Sequence, residues 1–138
     1  MPFARPRGIA LLSDTPVTAM LPVIDMGRAR DFYENRLGLK PGGLKADGKF
    51  VYSVGSSELA LFSKPEGTKA DHTAVSFQVP DIAKSIAALK DRGVVFEDYD
   101  FPTLKTVDPV CVLGAGEAAW FKDTERNFLC LHDDIAPV

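Results

Sequence analysis

The sequence predicts an α+β fold in which two βαβββ modules form a cupped mixed β-sheet with the helices on its outside. Two observations carry that expectation. A short apolar run, an Asp-capped amphipathic segment and a closing glycine occur twice, 55 or 56 positions apart. Each copy is followed by short strand-like runs separated by turn residues. A chain of 138 residues, 46% hydrophobic and 25% charged, is long enough to bury a core without disulfide or zinc staples.

The first copy opens with "VTAMLPV" (17–23), apolar enough for a buried strand. Asp25 caps a helix over "MGRARDFYENRL", in which Met26, Ala29, Tyr33 and Leu37 follow helical spacing beside Phe32, and Gly38 ends it. "GLKPGG", "KFVYSVG" and "ELALFS" are the next strands, with Asp47-Gly48 and Gly55-Ser56-Ser57 as turns. The second copy opens with "TAVSFQV" (73–79). Asp81 caps "IAKSIAALKDR", with Ile82, Ile86 and Leu89 on one face, and Gly93 stops it. "VVFEDY", "EAAWFKD" and "NFLCLHD" are its remaining strands, around a long loop near 100–114. Val23 and Val79, like Asp25 and Asp81, stand 56 positions apart. Residues 1–14 read as a flexible leader, and 15–138 as a single domain with modules at about 15–64 and 70–134, joined around "KPEGTKAD" (64–71). Neither half can cover its own sheet face, so the two must combine.

Composition narrows the function. A net charge of −3, without a basic block or basic residues interleaved with aromatics, argues against a nucleic-acid partner. No apolar run approaches the ~18–20 residues of a membrane span, and Ile9 to Leu12 is too short an apolar core for a secretion signal. Cys111 and Cys130, without such a signal, point to free thiols in a reducing cytoplasm. "GAGEAA" (114–119) matches G-x-G-x-x-A, yet neither a helix nor a βαβ unit follows, so it reads as a turn. No serine sits in a nucleophile elbow, and no catalytic group is assigned.

The stretch "VIDMGRARDFYENRLGL" (23–39), the V-x-D-I of the second helix and the closing "WFKDTERNFLCL" resemble the vicinal oxygen chelate superfamily over about residues 15–134. That superfamily includes glyoxalase I, extradiol dioxygenases, fosfomycin-resistance enzymes and bleomycin-binding resistance proteins. In its metalloenzymes, His, Gln or Glu at four inward-facing positions on the first and last strands of each module hold a divalent cation. Counted from the landmarks of each module, the resemblance places these at Thr18, Ala60, Ala74 and Cys130. Alanine offers no ligand and a threonine hydroxyl is a poor one, so the usual metal site is absent and no cofactor is expected. His72 falls two residues short of the third position, about 7 Å along a strand, against a Zn–N bond of ~2.0–2.1 Å.

The resemblance and the residues together imply a cytoplasmic binder of a small hydrophobic or aromatic molecule, of the bleomycin-resistance type and dimeric like similar proteins. Thr18, Ala60, Ala74 and Cys130 would form the floor of its pocket. Phe62, Trp120 and Phe128 would supply apolar contact, and Thr18, Glu58 and His72 polar orientation. "YDFPTLKTVDP" (99–109) is long enough for a lid, with Lys105 at its rim. The alternative is a metal-dependent lyase or dioxygenase with displaced ligands at His72, Cys130 and His132. A third reading is a structural or regulatory dimer with a vestigial pocket. Each residue also has a plainer role: core for most aromatics, solvated charge for Glu58 and Lys105, buried small side chain for Cys130, strand end for His132.

Overall fold

The structure is a computed structural model that describes residues 11–133, so the leader enters it only from Leu11, with a single 3-10 turn at Leu12–Asp14. The first module comprises β1 (Thr18–Val23), α1 (Met26–Asp31), β2 (Lys40–Leu44), β3 (Phe50–Val54) and β4 (Ser57–Ser63). The second runs through β5 (Thr73–Gln78), α2 (Ile82–Asp91), a two-stranded hairpin of β6 (Asp100–Phe101) and β7 (Leu104–Lys105), then β8 (Cys111–Leu113), β9 (Gly116–Lys122) and β10 (Phe128–His132). The sheet orders are β1-β4-β3-β2 and β5-β10-β9-β8. β1 lies parallel to β4 and β5 parallel to β10, while the remaining pairs are antiparallel. Two βαβββ modules of one design are therefore present.

Local chemistry explains the repeat. The side chains of Asp25 and Asp81 each accept from a backbone N–H three residues on, Arg28 and Lys84, at 3.0 Å. Gly38 and Gly93 leave their helices at φ +74° and +88°, a region open to glycine without steric cost. α1 continues into a π-helical turn over Phe32–Arg36, which the apolar spacing does not announce.

The inner sheet faces and the helices share one apolar cluster. Leu21, Val23, Leu59 and Leu61 come from the first sheet, Phe121, Leu129 and Leu131 from the second, and Phe32, Tyr33, Ile82 and Ile86 from the helical segments. Phe32 and Phe121 bridge the modules, their ring centroids 6.5 Å apart. Each such side chain stabilises by roughly 1.5–3 kcal/mol when buried, which neither module could collect alone.

Two details differ from the sequence expectation. "VVFEDY" is not a strand. Val94 and Phe96 are buried, but Phe96 makes only an isolated bridge to Phe121, followed by Glu97 N–H to the Trp120 carbonyl. The outer edge of β9 is shared: β8 occupies Gly116 to Ala118 and Phe96 occupies Phe121, so the third strand of the module is Cys111–Leu113. The second detail is a bulge. Phe128 pairs with Thr73 and Leu129 with Val75, leaving Ala74 without a partner on β10. The "GAGEAA" segment does turn, at Gly114 and Ala115 between β8 and β9. Among the described residues, no helix is long and apolar enough to cross a membrane.

Candidate functional site

Partners across a ladder face the same side of a sheet. In the first module Thr18 pairs with Glu58, Met20 with Ala60 and Pro22 with Phe62, on the side opposite the buried Leu21, Val23, Leu59 and Leu61. In the second, Cys130 pairs with Ser76 and Trp120, and His132 with Gln78 and Ala118, opposite Leu129 and Leu131. These open faces turn away from the shared apolar cluster, although Ala60, Ala118 and Cys130 on them are themselves buried. A cavity of about 590 Å³ forms where the start of β1 and β4 meets the end of β5 and β10. A volume of ~300–1,000 Å³ is usual for a small-molecule site.

Two hydrogen-bonded pairs border that cavity. Thr18 Oγ1 donates to Glu58 Oε1 at 3.0 Å, and Ser76 Oγ lies 2.6 Å from His132 Nδ1. Gln78 and Phe77 complete the second-module wall. Of the residues singled out from sequence, Thr18, Glu58 and His132 line this cavity, whereas Ala60, Phe62, His72, Ala74, Trp120, Phe128 and Cys130 do not. Ser76 and Gln78 were within reach of sequence reasoning, two and four residues beyond Ala74 on a regular alternation; what the bulge changes is Thr73, which it brings to the same side as Ser76.

The aromatic residues gather elsewhere on the second open face. Trp120 Nε1 donates to Thr73 Oγ1 at 3.0 Å, and Tyr99 meets the indole edge-on with centroids 5.9 Å apart. Phe101, 56% exposed, stacks on Tyr99 at 5.8 Å. Lys122 Nζ sits 5.0 Å from the Phe128 ring centroid. The 99–109 segment thus carries its own hairpin and lays Tyr99 against Trp120. Lys105 lies 4.0 Å from Asp100 and is largely solvated.

The positions at which the resemblance places metal ligands are otherwise engaged or offer no donor. Thr18 is committed to Glu58, Ala60 is fully buried and Ala74 occupies the bulge. The displaced set is not assembled either. His72 is exposed with Nδ1 3.1 Å from the Thr73 carbonyl, His132 is bonded to Ser76, and Cys130 Sγ donates to the Leu131 carbonyl at 3.3 Å. Burial pushes the Cys130 thiol above its usual pKa, against the opposing influence of the Ser76 hydroxyl. Among the described residues, no three His, Cys, Asp or Glu side chains come together as a ligand group.

The "DTERN" corner, polar in sequence, proves to be a buried clamp. Asp123, Glu125 and Asn127 are 6%, 1% and 2% exposed, alternating with outward Thr124 and Arg126. Glu125 accepts from the N–H groups of Ile24 and Asp25, both at 2.9 Å, and from Arg28 Nε at 2.8 Å and Thr124 Oγ1 at 2.7 Å. Asp123 accepts from Tyr33 Oη at 2.6 Å, and Asn127 Nδ2 donates to the Pro22 carbonyl at 3.0 Å. The clamp fixes the end of β1 against the β9–β10 turn. The period-two pattern of acid and amide was its available signal.

No family model and no curated protein matches the sequence. Solved structures do match. The lactoylglutathione lyase of Agrobacterium tumefaciens superposes with a TM-score of 0.61 at 18% identity, covering 87% of this chain and 93% of that one. The antibiotic-binding protein TnmS3 of a Streptomyces species gives 0.62 at 19% identity over 86% and 93%. The fosfomycin resistance protein FosX of Listeria monocytogenes gives 0.62 at 14% identity over 86% and 92%.

Proposed function

With the vicinal oxygen chelate fold shared by those glyoxalase-like and resistance proteins as its frame, we propose that this chain is a small-molecule binding protein of the bleomycin-resistance type that works without a catalytic metal. The observation that carries this reading is the cavity bordered by Thr18–Glu58 and Ser76–His132, in a chain with threonine, alanine and cysteine where the resemblance places metal ligands. Apolar lining with a few fixed polar groups is the usual make-up of a ligand pocket. The likeness to an antibiotic-binding protein supports it. We place the protein in the cytoplasm, with both cysteines as free thiols, and as a homodimer. Exposed Leu44, Val112 and Leu113 on the outer strands β2 and β8 favour a partner there.

Native mass spectrometry of untagged protein from metal-supplemented cells, purified without chelator, tests this. The expected result is a metal-free dimer carrying an organic adduct. One divalent ion per chain would overturn the proposal in favour of a metalloenzyme with rearranged ligands.

A further inference from the structure

We propose that the cavity selects a cationic ligand, a protonated amine bearing hydroxyl groups, with Glu58 as its counter-ion. This rests on the small-molecule reading of the same cavity and names the class of molecule it takes.

The charge balance of the wall is one-sided. Among the described residues that line the cavity, Glu58 is the only carboxylate and no lysine or arginine is present. Glu58 also has no ion-pair partner among the described residues, unlike Glu34, Glu97 and Glu125. A phosphate, phosphonate or carboxylate ligand would enter beside the Glu58 carboxylate with no lysine or arginine to receive it. An ammonium group would supply the missing partner through a charge-assisted hydrogen bond.

The geometry prepares Glu58 for that role. Its strand partner Thr18 donates to Oε1 at 3.0 Å, which orients the carboxylate and leaves Oε2 for a ligand. Across the cavity, the Ser76–His132 pair and the Gln78 amide offer both donors and acceptors, the complement of hydroxyl groups. A cation at one end with hydroxyls toward the other matches this distribution.

The test uses the full chain and three matched fragment sets: hydroxylated amines, their N-acetyl derivatives, and the corresponding carboxylates. Binding is followed by amide chemical shifts, with Thr18, Glu58 and Ser76 as site reporters. The expected result is binding confined to the amines and weakened roughly tenfold in Glu58→Gln, the worth of one charge-assisted hydrogen bond. Unchanged thermal unfolding of Glu58→Gln would show that the loss is not misfolding. Thr18→Val, which frees Oε1, should weaken amine binding less. Hits spread equally over the sets, or an unaltered affinity in Glu58→Gln, would overturn the cation selectivity and leave the binding reading standing. No shift at the three reporters from any set would overturn both.

Discussion

Arg36 and Arg92, 56 positions apart at the ends of the two module helices, each donate to a backbone carbonyl of the opposite module. Arg36 Nη1 reaches the Gly93 carbonyl and Arg92 Nη1 the Asn35 carbonyl, both at 3.0 Å. The exchange makes the internal repeat a contact as well as a pattern. Both side chains are exposed, so Arg36→Ala and Arg92→Ala should each cost at most about 1 kcal/mol. Urea unfolding should show similar small falls in midpoint for the two variants. A large loss for one and none for the other would refute the equivalence.

Glu125 should matter far more. Burial works to raise its carboxyl pKa, but Arg28, the Asp25 N–H, Thr124 and the Ile24 N–H together hold it down, at about 2. A depressed carboxyl stabilises fully above its unfolded value of 4.5 and loses that contribution as pH falls from there toward 2. Glu125→Gln should destabilise by on the order of 3 kcal/mol at neutral pH, as expected when a buried charged partner is removed. It should also flatten the acid limb of a stability–pH profile. Asp123 acts in the other sense: burial raises its carboxyl, so its ionisation costs stability as pH rises. A Glu125→Gln profile parallel to wild type would contradict this assignment.

Trp120 is the only tryptophan in the chain, and its fluorescence reports the aromatic cluster directly. Tyr99→Ala removes the edge-on ring and releases the anchor of the 100–105 hairpin. Red-shifted Trp120 emission and faster amide exchange across the hairpin are expected. An unchanged emission maximum would mean that Tyr99 does not shield the indole.

The two cysteines should resist oxidation to a disulfide. Cys111 pairs with Ala118 and Cys130 with Trp120, so β9 runs between them. Two strand spacings alone separate their Cα atoms by roughly 9–10 Å, and the offset from Ala118 to Trp120 along β9 adds to it, beyond the ~7 Å a disulfide allows. Intact mass after diamide treatment should show no internal disulfide, and alkylation should require denaturant because both thiols are buried. A rapid loss of two hydrogens from the folded protein would show that the sheet opens readily.

By itself the sequence determined the repeat, the two helices and most of the strands. The signals there are local: an aspartate can satisfy N–H groups only at a helix start, and Gly38 and Gly93 take positive φ wherever the rest of the chain goes. The alternation of Cys130 and His132 against Leu129 and Leu131 was legible for the same reason. Tertiary structure alone decided which strand edge each segment occupies. "VVFEDY" has strand composition, but β8 had taken part of the available β9 edge, and only pairing energy settles such a competition. The bulge at Ala74 likewise depends on register against β10, and one unpaired residue put Thr73 on the side of Trp120, whose indole N–H it accepts. Trp120 and Glu125 make the same point in three dimensions. The indole meets a loop residue 21 positions earlier and the carboxylate a helix start 100 positions earlier, contacts that no local pattern encodes.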